Sequence, residues 1–287
     1  MDLKFILNEI EKADPEVYEK LSPRREVFKS FGSKVAVAAL PFALGTMFKK
    51  AYGKTTDAVI DALNFALQLE YLEYNFYHIC NNTPTLLIPA ADKAAFVTIE
   101  AHELAHVNFL RTAIHNAGGT PYTPAGYTGD AVTGDPSVPT AYDFTARGAF
   151  PEYASYPTFL TVSQAFEDTG VRAYKGQAGN LMSSNDVLTA ALQIHSVEAR
   201  HASHIRLIRR KAGVADAPKP WVTGNTAPIS AVAPIYAGEE STQQLTVNIT
   251  TLPGISGNVA TIAATESFDE PLDKASVVAI VTPFYAP

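Results

Sequence analysis

The chain has a single cysteine, Cys80, among its 287 residues. It can therefore build no internal disulfide framework and no CxxC redox or metal motif, which leaves its compartment open. Cys80 itself reads as a small buried side chain on a helix. Long basic runs are missing too: beyond pairs such as Lys49-Lys50, nothing exceeds the three residues Arg209-Arg210-Lys211. With a formal net charge of −7 and a pI near 5.5, this argues against a nucleic-acid-binding surface. The apolar run from Val35 to Phe48 is too short to span a bilayer as a helix. What is present, 47% hydrophobic and 18% charged residues, suffices for one sizeable core with appendages or for two small domains.

The most informative feature is a doubled pattern. One copy reads LQLEYLEYNFYH and then TIEAHELAHVNFL, carrying Glu70, Tyr77, Glu103 and His106; the other reads QAFEDTGVRAYKG and then IHSVEARHASHIR, carrying Glu167, Tyr174, Glu198 and His201. The tyrosine follows the lone glutamate by seven residues in both, and the ExxH glutamate follows it by 33 (103 − 70) and 31 (198 − 167). On an α-helix, positions i and i+3 share a face, so each ExxH pair can offer a carboxylate and an imidazole to one metal. A single ExxH usually marks no more than a solvated helix face. Two, each with a glutamate and a tyrosine at matching intervals, predict one two-metal site. Four carboxylates and two imidazoles suit two Fe or two Mn ions, because carboxylates bridge metals and tolerate a change of oxidation state. A structural zinc site would use four ligands with more Cys or His.

Several positions near this set are ambiguous. Glu73 lies one turn beyond Glu70 and competes with it as ligand, but its counterpart in the second copy is Gly170, which favours Glu70. Glu100 and His195 each stand three residues before an ExxH glutamate, as extra ligands, as partners orienting the imidazoles, or as a rim Glu and a core His. Tyr77 and Tyr174 either hydrogen-bond a ligand carboxylate, relay an electron, or simply fill the core. His78, His102, His115 and His204 have no counterpart and read as surface or packing residues.

Along the chain, residues 2 to 21 form a short amphipathic helix, and Arg24-Arg25 followed by Phe28-Lys29 and the apolar run looks like a twin-arginine export signal. A periplasmic or exported protein is therefore expected; the acidic residues ahead of the arginines and the lack of an AxA site count against cleavage, and the alternative is an uncleaved, docked helix and a cytoplasmic protein. Residues 1–53 are assigned to this segment, 54–213 to a four-helix bundle and 214–287 to a C-terminal extension. Thr55-Thr56-Asp57 caps a first helix reaching about Tyr77, and a second spans about Asp92 to Asn116. A third opens at Tyr156-Pro157-Thr158 and runs to about Gly179, and a fourth follows Ser183-Ser184-Asn185-Asp186 to Lys211. The long Gly-, Pro- and Tyr-rich stretch between helices two and three is then the crossover that joins two parallel helices. In the extension, Leu245, Val247 and Ile249 predict a strand, Asn258 to Ala263 a weaker one, and Pro271 to Val281 a final helix with Val277, Val278, Ile280 and Val281 inward. Trp221 reads as the anchor of this tail.

The doubled motif resembles the ferritin-like superfamily of ferritins, bacterioferritins, rubrerythrins and manganese catalases. TDAVIDALNFALQLEYLEYNFY, EAHELAHVNFLRTAIHNAGG, HSVEARHASHIRLIR and FDEPLDKASVVAIVTPF look like the ferritin-like proteins related to desiccation-associated proteins of plants and bacteria. The resemblance implies a mainly α, di-metal carboxylate bundle with the ligands Glu70, Glu103, His106, Glu167, Glu198 and His201, and it fits an export signal. Its implied partners are metal ions, with peroxide or dioxygen as substrate, and homo-oligomers are compatible with it. Three readings follow: a stress-protective oxidoreductase of ferroxidase or manganese-catalase type, a metal-binding stress protein without turnover, and an assembly protein that retains the site.

Overall fold

Four long helices carry the fold in the computed structural model: α1 (Asp57–Asn82), α2 (Ala90–Asn116), α3 (Tyr156–Gln177) and α4 (Asn185–Lys211). The structure describes residues 57–287 apart from positions 85, 87, 152–154, 215 and 217. The predicted helix at 2–21, the Arg24-Arg25 motif and the Thr55-Thr56 cap lie outside the described residues. No described helix is long and apolar enough to cross a membrane.

α1 packs chiefly on α2 and α3 chiefly on α4, as two hairpins that meet face to face. The short connections force each pair antiparallel. The two halves of the bundle do not bury equally. α2 and α4 keep one solvated face, as their mixed composition requires. Leu69–Tyr77 of α1 and Phe159–Tyr174 of α3 are instead buried on every side, because the crossover and the C-terminal extension cover their outer faces. Around Phe76 the rings of Tyr77, Phe144, Phe159 and Phe166 interlock with centroids 5.0–5.5 Å apart. This aromatic block fills one end of the bundle. The other end is lined by residues that include Ala62, Ala66, Ala113, Ala173, Ala190 and Ala191 and leaves a small apolar void of about 20 Å³.

The crossover has little secondary structure, so its backbone polar groups need other partners. Arg111, fully buried, donates to the carbonyls of Ala131 (2.7 Å), Asp130 (2.6 Å) and Gly134 (2.7 Å) and to the Tyr127 hydroxyl. Asn75 acts as a surrogate strand, donating to Pro136 O and accepting from Val138 N at 2.6 Å.

The extension adds two small hairpins, β1 (Gln243–Gln244) with β2 (Val247–Asn248) and β3 (Pro253–Gly254) with β4 (Gly257–Asn258), then α5 (Thr261–Thr265) and α6 (Lys274–Val281). This corrects the two predicted strands. The alternating Leu245-Val247-Ile249 segment folds back at Leu245, which takes a positive φ of 53°, and Ile249 opens a 3₁₀ turn. Two-residue hairpins need such a positive φ, so the turn overrides the alternation. Residues 261–263 of the second segment are helical. α6 starts three residues later than expected, because Asp273 caps it by accepting from Ser276 N. Its buried face is Val277 and Val281, spaced i, i+4, whereas Val278 is exposed. Trp221 is not the anchor: it is half exposed, with Lys219 over its ring. Anchoring falls to α3, where buried Arg172 pairs with Glu239 at 2.9 Å and donates to the carbonyls of Ile235, Ala237 and Glu270. Tyr236 donates to Asp168, which also pairs with Arg206.

Candidate metal centre

α1 and α3 each deliver one glutamate to the bundle axis, and α2 and α4 each deliver a glutamate and a histidine one turn apart. Glu70, Glu103, Glu167 and Glu198 are fully buried, and His106 and His201 nearly so. Ligand atoms of Glu70, Glu103, His106 and Glu198 lie within 4.8 Å of one another, and so do those of Glu103, Glu167, Glu198 and His201. The two groups share Glu103 and Glu198. Each has, besides, its own lone glutamate and its own histidine.

His106 Nδ1 stands 3.1 Å from Glu70 Oε2, 3.0 Å from Glu103 Oε2 and 3.3 Å from Glu198 Oε1. His201 Nδ1 stands 2.9 Å from Glu103 Oε1 and 3.0 Å from Glu167 Oε2. One N–H cannot serve all these oxygens, and both oxygens of Glu198 and Oε1 of Glu103 are left without a well-formed hydrogen bond despite the nearby imidazoles. Buried acceptors left without donors are costly, so this donor set fits a cation.

The tyrosines cross between halves. Tyr77 of α1 donates to Glu167 Oε1 at 2.5 Å, and Tyr174 of α3 donates to Glu70 Oε1. Each phenol thus fixes the lone glutamate of the opposite hairpin. Burial, with the facing carboxylate, pushes both hydroxyls well above the ordinary tyrosine range, so they remain donors.

Electrostatics in the metal-free cluster are lopsided. Burial pushes Glu70 up to about 7 against the attraction of His106, and burial together with neighbouring carboxylates pushes Glu73 and Glu198 well up. Burial raises Glu167 as well. Burial also acts on Glu103, but His106 and His201 outweigh it and hold Glu103 well below the usual range. Burial opposes charge on the histidines, yet Glu70 and Glu103 hold His106 protonated and Glu167 and Glu103 bring His201 up to about 11. Protons therefore occupy the place of positive charge when no metal is bound.

Residues 58–211 match the family described as ferritin-like domain, more than half of the chain. The chain belongs to the ferritin-like family. No curated protein matches it.

The neighbouring candidates separate in this ferritin-like bundle. Glu73 is buried beside the cluster, in room left by Gly170: a methyl group on Gly170 would lie 3.0 Å from Glu198 Oε2 and 3.2 Å from Glu73 Oε1. Glu73 belongs to neither four-residue group. Glu100 turns away, accepting from Asn81 at 2.8 Å and pairing with His78 at 2.8 Å. His195 also lies apart, under the influence of Asp269 and Lys175. His78 thus has a partner, and so does His102, whose Nδ1 is 2.9 Å from His201 Nε2. The sequence carried one hint of this contact, the position of His102 directly before Glu103, but no second copy to expose it.

Proposed function

We propose that this ferritin-like protein is a di-metal carboxylate oxidoreductase acting on dioxygen or peroxide. The observation that carries the proposal is the sharing of Glu103 and Glu198 by two otherwise separate ligand groups. In this reading Glu70 and His106 would hold one ion and Glu167 and His201 the other, with Glu103 and Glu198 available to both. Bound Fe or Mn would supply a change of oxidation state and a coordination position open to the oxidant.

The chain's own part is to balance charge and fix geometry. Four carboxylates offset two divalent cations inside a dry core, where unbalanced charge is costly. Tyr77 and Tyr174 hold Glu167 and Glu70 in place through hydroxyl donors, and the buried surroundings keep bulk water out. Glu73 adds a fifth carboxylate on the Gly170 side of Glu198, in position to serve as an additional ligand or to take up and release a proton.

Elemental analysis of the purified protein is expected to find about two Fe or Mn per chain. The loaded protein is expected to consume dioxygen with Fe(II) or to evolve oxygen from peroxide, and the double variant Glu103→Ala, Glu198→Ala to do neither. Full metal occupancy with no turnover on either oxidant would rule out the oxidoreductase reading and leave a metal-stapled stress protein.

A further inference from the structure

The two halves of the centre are unequal on their outer sides. His201 turns Nδ1 toward Glu103 and Glu167 and Nε2 toward His102 Nδ1, 2.9 Å away. The two rings are within 12° of parallel, with centroids 5.2 Å apart. That separation equals the N···N distance plus the two ring radii, so the imidazoles lie edge to edge with the hydrogen bond along the line joining them. They are not stacked face to face. His102 is itself solvent-accessible on α2. In the other half, His106 Nδ1 also faces carboxylates, but no hydrogen-bond partner is found for its Nε2 among the described residues. By the 95-residue offset that relates Glu103 to Glu198 (198 − 103), the counterpart of His102 is Val197, which has no polar side-chain atom.

An imidazole can give a metal a lone pair from one nitrogen only when that nitrogen is unprotonated, and the other nitrogen then carries the hydrogen. A partner accepting that hydrogen fixes the tautomer and the ring angle and makes the metal-facing nitrogen more basic. We propose that His102 is a positioning residue for His201, so that the half-site of Glu167 and His201 is pre-organised and binds its ion more tightly than the half-site of Glu70 and His106. His102 accepts from His201 Nε2 and leaves its own Nε2–H to solvent. The two ions then load in sequence, the His201 side first.

This inference rests on the six-ligand reading above, and the test separates the two. Mn(II) titrated calorimetrically into metal-free wild-type protein is expected to show two sites of different affinity. His102→Val, which makes the two halves alike, is expected to weaken the tighter site by about 10–100-fold and to leave the other unchanged. His102→Asn places an oxygen acceptor where Nδ1 stood and is expected to restore most of the loss. Because residue 102 is at the surface, both variants should fold without metal, His102→Val losing in thermal unfolding no more than its one hydrogen bond to His201 and His102→Asn keeping it. Affinities that stay unchanged in His102→Val, or fall together at both sites, overturn the role of His102, as does a loss that Asn fails to repair. A wild-type protein that takes up no Mn(II) at all overturns the ligand reading itself and this inference with it.

Discussion

Replacing Glu198 with leucine separates the energetics of the empty cluster from those of the loaded one. Glu198 is fully buried, neither of its oxygens receives a well-formed hydrogen bond, His106 Nδ1 coming only to 3.3 Å of Oε1, and burial with three neighbouring carboxylates pushes its pKa well up, so without metal it is a poorly partnered neutral acid. Leaving buried polar atoms unsatisfied costs about 1–3 kcal/mol, and an apolar side chain of similar volume removes that cost. Leucine also gives up the 3.3 Å approach of Glu198 to His106, but the imidazole keeps Glu70 at 3.1 Å and Glu103 at 3.0 Å. The imidazolium is not orphaned. Metal-free Glu198→Leu is therefore expected to be more stable than metal-free wild type by about 1–3 kcal/mol, or roughly 2–4 °C in Tm for each kcal/mol in a chain of this size. Addition of Fe(II) under anaerobic conditions, or of Mn(II), should raise the Tm of wild type and leave the variant unmoved. Thermal unfolding followed by far-UV circular dichroism, with chelator and with metal, reads both effects in one series. If the metal-free variant is less stable than wild type and still gains Tm with metal, Glu198 is a structural acid and not a shared ligand.

Three other expectations follow from the same geometry. Gly170→Ala puts a methyl 3.0 Å from Glu198 Oε2 and 3.2 Å from Glu73 Oε1 while adding up to about 1 kcal/mol of helix propensity; metal affinity measured by calorimetry should fall although the metal-free fold is no weaker. Arg172→Ala strands the fully buried Glu239 carboxylate and three carbonyls, a loss of about 3–5 kcal/mol in denaturant unfolding, and limited proteolysis should then open residues 214–287 first. In the metal-free protein Glu70 is raised from 4.5 to about 7 and His201 from 6.5 to about 11, so the folded state binds more protons than the unfolded one; their contribution is complete below pH 4.5 and 6.5 respectively and is lost as pH rises through 7 and 11. Glu103, held low, acts in the opposite sense only in acid. Metal-free Tm should decline from about pH 5 to 9, and the Tm gained on adding metal should grow over that range as protons leave the ligands; a metal-induced gain that shrinks with rising pH would contradict this assignment of protons.

How much of this was legible in the sequence depended on whether a feature was periodic or repeated. The four helices were, because long amphipathic runs such as Ile60-Leu63-Leu67 announce themselves, and their ends were misjudged only by a turn at places like Tyr77, where the helix continues to Asn82. The gathering of Glu70, Glu103, His106, Glu167, Glu198 and His201 on one axis followed from matching intervals, and the same comparison exposed Gly170 opposite Glu73 without showing that the glycine makes room for two carboxylates. Short segments failed for a physical reason. Leu245 to Ile249 alternates as a strand does, yet local turn geometry outweighs alternation over so few residues, and Trp221 is a large aromatic that nonetheless stays half exposed. The fastening of the extension was hidden more deeply, since Asp168, Arg172 and Arg206 look like solvated helix charges until the chain after residue 214 closes over them. His102 belongs to the same class. A side chain whose partner lies 99 positions away (201 − 102), and whose counterpart in the other half is a valine, leaves no periodic trace; only the pairing of α2 with α4 brings its nitrogen to His201. The two-fold repeat shows where the candidate ligands stand, and the departures from it, Gly170 for Glu73 and Val197 for His102, show where the two halves of the candidate centre cease to be equivalent.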